Sequence, residues 1–179
     1  MLRRLRPWLP VLLLALWWTP AAPAETGQQP ATWQMHEVTL DYMGFTTRYS
    51  CDGLRDKLRW VLNALGARAD SRVERSGCTR LGEPERLPSV KITAWTLQAA
   101  AAPAQPGAID ATWKAVNLAA FGGLDRGDCE LAEAIRKTVL PLFTVRAMQY
   151  STSCIPHQET AGAVTFRLEA LVPAAAPPQ

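Results

Sequence analysis

Val38–Ala69 reads VTLDYMGFTTRYSCDGLRDKLRWVLNALGARA, and 78 residues later Val116–Ala147 reads VNLAAFGGLDRGDCELAEAIRKTVLPLFTVRA. Laid over each other without a gap, the two stretches share nine identities. Val38, Leu40, Gly44, Arg48 and Cys51 fall on Val116, Leu118, Gly122, Arg126 and Cys129. Val61, Leu62, Arg68 and Ala69 fall on Val139, Leu140, Arg146 and Ala147. Outward from this match, Thr32-Trp33 recurs as Thr112-Trp113 with two residues dropped, and Val90–Ala94 shares its pattern with Val164–Leu168. Chance is the competing explanation for matches this sparse. The aligned cysteines argue against it, because each opens the same kind of segment.

Each half reads strand, helix, strand, strand. His36, Val38, Leu40 and Tyr42 alternate with Glu37, Thr39 and Asp41, which predicts a strand over about Trp33–Tyr42. Its counterpart is expected over about Trp113–Phe121. Ser50 is placed to cap a helix that starts at Cys51. Leu54, Leu58, Val61, Leu62 and Leu65 give that helix one apolar stripe, with Arg55, Asp56 and Arg59 off it and Gly66 as its stop. In the second half Asp128 is the expected cap, and Ala132, Ile135, Val139 and Leu142 carry the stripe. Pro141 lacks a backbone donor, so this helix should end or kink near Leu140. Further strands are expected at about Arg68–Gly77, Ser89–Leu97, Val145–Ser153 and Ala163–Val172. The predicted fold is α+β: two helices over one face of a largely antiparallel sheet, with approximate two-fold symmetry between halves at 25–97 and 111–173. Residues 98–110, rich in Ala and Pro, read as an exposed linker, and 174–179 as a flexible tail.

The four cysteines Cys51, Cys78, Cys129 and Cys154 permit three pairings, and spacing alone does not choose. Topology does. A helix runs back along the sheet and the next strand runs forward, so the helix start and the strand end share one end of the layer. That predicts Cys51–Cys78 and Cys129–Cys154, each worth about 3 kcal/mol by loop closure. No CxxC occurs, and cysteines 27, 51 and 25 residues apart do not resemble the close ligand pairs of a zinc site. No metal or cofactor is expected.

Residues 1–24 read as a secretory signal. Arg3, Arg4 and Arg6 form its basic start, and an apolar stretch runs from Trp8 to Trp18. Ala22-Pro23-Ala24 puts small residues at the cleavage positions, so the cut is expected between Ala24 and Glu25. The apolar stretch is short for a membrane span, which needs about 20 residues. Nothing downstream is long and apolar enough to span a bilayer. An even cysteine count fits an oxidising compartment, periplasmic or extracellular. The formal charge of +3 comes entirely from those three leader arginines. The remainder balances, which removes the basic surplus a nucleic-acid partner requires. Hydrophobic content of 48% with 20% charge is globular composition rather than disordered.

The segment YSCDGLRDKLRWVLNALGARAD, Tyr49–Asp70, resembles exported proteins of Xanthomonas-like bacteria that have no known activity. The resemblance covers most of the chain after the leader, paired cysteines included. It implies a periplasmic or secreted protein and brings no ligand or catalytic residue.

Catalytic patterns are sparse. His36 lies on the first strand, and His157 follows Cys154 near Ser151, Ser153 and Glu159. Neither sits in a motif that supplies a nucleophile and an orienting group. Asp52, Asp56, Asp125 and Asp128 read as helix caps and solvated faces, and no carboxylate pair is singled out for glycoside hydrolysis. Met35, Met43 and His36 have the donor types for Cu(I), but core packing explains the methionines more simply.

Tryptophans are the least ordinary feature. Trp60 lies off the helical stripe. Trp95 faces away from Ile92 and Ala94, so Trp95, Leu97 and Leu171 are the candidate binding patch on the sheet face opposite the helices. The competing reading, which is preferred, is that the halves bury these side chains against each other or against loops. The function expected is non-enzymatic binding of a protein, peptide or cell-envelope component. The rival is an envelope hydrolase with its site between the halves.

Overall fold

The computed structural model describes residues 27–78, 82–101, 105–120, 122–155, 158–159 and 161–174. The expected leader, with its expected cleavage site between Ala24 and Glu25, His157 and residues 175–179 lie outside the described residues. The chain runs β1 (Gln28–Asp41), α1 (Cys51–Ala64), β2 (Arg72–Gly77), β3 (Ser89–Ala99), β4 (Ile109–Asn117), α2 (Cys129–Ala134), β5 (Val145–Thr152) and β6 (Val164–Pro173). The six strands form one antiparallel sheet in the order β2-β3-β1-β4-β6-β5. The α+β fold expected from the sequence is therefore present. Each half contributes the same inner-to-outer succession: its first strand at the centre, its last strand beside that, and its middle strand at the edge.

The boundaries move outward from those expected. β1 begins at Gln28, because Gln28–Ala31 pairs with Ile109–Thr112 and joins the halves into one sheet. β4 correspondingly occupies Ile109–Asn117 rather than Trp113–Phe121, and the linker shortens as β3 runs on to Ala99. Arg68–Ser71 is not strand; β2 starts at Arg72.

Local signals account for the first helix. Ser50 Oγ accepts the Gly53 N–H at 3.1 Å. At the other end Gly66 adopts φ +82°, and the N–H groups of Gly66 and Ala67 bond back to Asn63 and Leu62 carbonyls, a Schellman closure. The second helix departs from α geometry. After α2, Ile135–Val139 forms a π turn, and Leu140–Leu142 tightens to a 3-10 turn with Pro141 in its first turn. The disruption expected near Leu140 thus takes the form of this change in helical geometry, since Pro141 has no N–H to donate.

Both helices pack on one side of the sheet. Leu54, Leu58, Leu62, Leu131, Ile135 and Val139 meet Leu40, Ile92, Phe166 and Leu168 in one continuous core drawn from both halves. Disulfides Cys51–Cys78 and Cys129–Cys154, with Cα–Cα distances of 6.2 and 6.1 Å, tie each helix start to the end of its returning strand. Among the described residues no helix is long and apolar enough to cross a membrane.

Candidate functional site

Strand alternation sends Trp33, Trp95, Leu97, Trp113 and Leu171 to the face opposite the helices. There the candidate patch of Trp95, Leu97 and Leu171 is not an exposed surface. Leu97 and Leu171 are 1% and 2% exposed and form a second small core with Ala31 and Ala111. This is the burial between halves that the sequence reading preferred, and it removes both leucines from any binding surface. Trp33 stands directly across from Leu97 in the β1–β3 register, as Trp113 does from Leu171 in β4–β6, and each indole packs against this small core.

The exposed sides of the indoles are also occupied. The Arg68 guanidinium lies 4.0 Å from the Trp95 ring centre and 5.8 Å from that of Trp33. Arg146 lies 4.2 Å from Trp113. Carboxylates meet both guanidiniums. Asp70 accepts two bonds from Arg68 at 2.7 Å, and Glu169 accepts one from Arg146 at 2.5 Å. The bond from Arg68 holds the Asp70 carboxyl below the usual carboxylate range. Arg68 and Arg146 are aligned identities in the sequence comparison, and each stacks on an indole of its own half, Arg68 chiefly on Trp95 and Arg146 on Trp113. This face is a set of satisfied stacks rather than an open apolar surface.

Polar contacts join the halves at the other side. Asp128, expected as a helix cap, makes no side-chain capping bond and is 2% exposed. One carboxylate oxygen accepts the Tyr49 hydroxyl. The other accepts the Asp125 N–H at 2.8 Å and lies 3.4 Å from Lys57 Nζ. Lys57 also reaches Asp125 at 2.5 Å and donates to the Gly123 carbonyl. Burial, then the bond to Asp128, pushes the Tyr49 hydroxyl far above its ordinary range. Asp52 and Asp56 pair with Arg55 on the solvated helix face, as expected. Trp60, off the helical stripe, packs on Gly123, where an added Cβ would come within 2.6 Å of the ring.

His36 and Met35 are neighbours on β1 and so point to opposite faces, which separates the thioether from the imidazole. Met35 and Met43 are 53% and 50% exposed, so neither is a core residue. His36 Nε2 is buried with no hydrogen-bond partner.

A groove of about 350 Å³ runs between the second helix and β5. Glu130, Glu133 and Ala134 line one wall, and Tyr150 and Thr152 line the other. Met43 and Ile155, each 50% exposed, stand at its end beside the Cys129–Cys154 disulfide. Glu130 is held in place across the halves: its Oε1 accepts the Thr46 N–H at 3.4 Å and lies 3.1 Å from the Thr46 hydroxyl oxygen. Its Oε2 is buried with no hydrogen-bond partner. A buried carboxylate oxygen without a donor carries a desolvation cost that an incoming N–H would relieve. Sequence reading missed Glu130 and the groove. Residues 84 apart hold the glutamate, and no local motif marks it.

Comparison with family models, with curated proteins and with solved structures finds no match.

Proposed function

We propose that this chain is an exported, non-enzymatic binding protein whose ligand, a peptide, protein or cell-envelope component, seats in the groove between the second helix and β5. The observation that carries this reading is the unpartnered Glu130 Oε2 in a groove whose end is formed by half-exposed Met43 and Ile155. Buried polar atoms are nearly always paired, so the unpartnered oxygen singles out Glu130 as the groove residue to which an added donor would be worth most. Two disulfides are compatible with an oxidising compartment, and the basic, apolar and small-residue succession at the start of the chain supports export. The matching strand succession of the halves supports a duplicated origin for the scaffold.

The test is affinity capture from a periplasmic extract with the oxidised chain, run beside Ala134→Trp and Trp95→Ala. Ala134→Trp fills the groove and should abolish capture. Trp95→Ala removes an indole from the other face and should leave it intact. Capture indifferent to Ala134→Trp overturns the groove as the site. Turnover in an activity screen that is lost on changing His36 or His157 overturns the non-enzymatic reading in favour of a hydrolase.

A further inference from the structure

We infer that the groove takes an extended peptide, which adds to the sheet as a seventh strand along the free edge of β5 and places a cationic side chain against Glu130. This rests on the groove being the binding site and goes further, naming the chemistry and the manner of binding.

Three observations carry it. The first is the state of the two sheet edges. β2 and β5 are the outer strands, each paired on one side only among the described residues. Exposed edges invite pairing with other chains, and proteins blunt them with charges and bulges. β2 is blunted both ways: it carries Arg72, Glu74 and Arg75, and its register shifts between Arg75 and Gly77. β5 has its irregularity at one end, between Arg146 and Gln149, where Ala147 takes φ +51°. Beyond it Gln149, Tyr150, Ser151 and Thr152 form an uninterrupted ladder with no charged residue. That segment is an uncharged edge with unbroken register, of the kind strand addition uses.

The second is position. Tyr150 is packed on Phe166, with ring centres 5.0 Å apart, and therefore points to the helix side of the sheet. Tyr150 and Thr152 line the groove. A strand laid beside β5 would send every second side chain to that same side, into the groove.

The third is charge. The groove is lined by Asp41, Glu130 and Glu133 against Lys137, which is already paired with Glu133 at 2.6 Å, and Arg136, whose guanidinium lies 5.3 Å from the centre of the groove-lining Tyr150 ring, is the second cation beside it. The surplus is negative, and the Glu130 oxygen lacks a donor. A lysine or arginine on the incoming strand supplies both the charge and the N–H. Met43 and Ile155 offer apolar contact to its neighbours.

The probe is a blocked six-residue peptide alternating valine with threonine and carrying one central lysine, titrated into the oxidised chain. Backbone amide exchange should slow at Gln149–Thr152 on saturation and stay unchanged at Arg72–Gly77. Replacing the lysine by glutamate should weaken binding about tenfold or more, the worth of one charge-assisted bond. N-methylation of alternate backbone amides should abolish binding, because the ladder cannot then form. Glu130→Gln should erase most of the preference for lysine over glutamate, and Asp41→Asn part of it. The inference is overturned by no binding at millimolar peptide, by binding without protection of Gln149–Thr152, or by equal affinity for the lysine and glutamate peptides. If it fails while extract capture stays sensitive to Ala134→Trp, the groove stands as the site and strand addition alone falls.

Discussion

Replacing Asp128 by alanine removes the acceptor that joins the two halves. Its carboxylate is 2% exposed and takes the Tyr49 hydroxyl and the Asp125 N–H, with Lys57 Nζ 3.4 Å away. The hydroxyl bond to a charged acceptor is worth about 1.5–3 kcal/mol, and leaving the Asp125 N–H unmet costs about 1–3 kcal/mol. Lys57 keeps Asp125 at 2.5 Å, so its share is small. The sum is about 2.5–6 kcal/mol, which brackets the roughly 3–5 kcal/mol lost when one partner of a buried charged pair is removed. Tyr49→Phe should cost about 1.5–3 kcal/mol by itself. Because both variants delete the same bond, the double variant should cost little more than Asp128→Ala alone, with a coupling energy of about 1.5–3 kcal/mol. Urea denaturation of the oxidised chain, followed by circular dichroism with m-values compared, measures all three. A loss below about 1 kcal/mol for Asp128→Ala, or strict additivity in the cycle, refutes the assignment of Asp128 as the buried link between halves.

Four further outcomes are expected. Burial raises the Tyr42 and Tyr49 hydroxyls above their ordinary value of 10.0, so the unfolded chain loses those protons first. Their stabilisation is complete below pH 10 and declines above it, by up to about 1.4 kcal/mol per pH unit for fully buried Tyr42. Urea midpoints measured across alkaline pH should show that fall, and Tyr42→Phe should shrink it; a flat profile contradicts the burial argument. Reducing the bridges, which close spans of 27 and 25 residues, should cost about 3 kcal/mol each, and peptide mapping that joined Cys51 to Cys129 would contradict the topology. Gly66→Ala should cost about 2–4 kcal/mol, since φ is +82° and the new Cβ would come 2.5 Å from Val172 Cγ1. Gly82→Ala, at a similar φ with nothing within 4 Å, should cost only about 1–2 kcal/mol in the same melts, and equal losses would refute the close approach. Finally, neither half expressed alone should melt cooperatively, because the core and the Asp128 link draw on both; two independently stable halves would refute the single core.

Local physics made much of the fold legible before any coordinates. Ser50 and Gly66 bracket the first helix because a cap and a left-handed stop act within a few residues of the chain. The disulfide pairing followed from the direction in which a helix and the next strand must run. Periodicity placed Trp95, Leu97 and Leu171 on the face away from the helices. It did not decide their exposure, because a one-dimensional pattern fixes which way a side chain points and not what meets it there. The packing of Trp33 against Leu97 and of Trp113 against Leu171, with Arg68 and Arg146 stacked on indoles, is settled by strand register and by the chain returning from each helix. Asp128 looked like a cap because it precedes a helix. It became a buried acceptor because Tyr49, 79 residues earlier, reaches it. The groove belongs to the same class. Thr46 orients Glu130 from 84 residues away, and the second helix and β5 leave the space between them. The first helix and the two staples were legible because a cap, a stop and the direction of the next strand act over short stretches of chain. The surfaces on which function rests formed only when distant segments met, and that required the whole sheet.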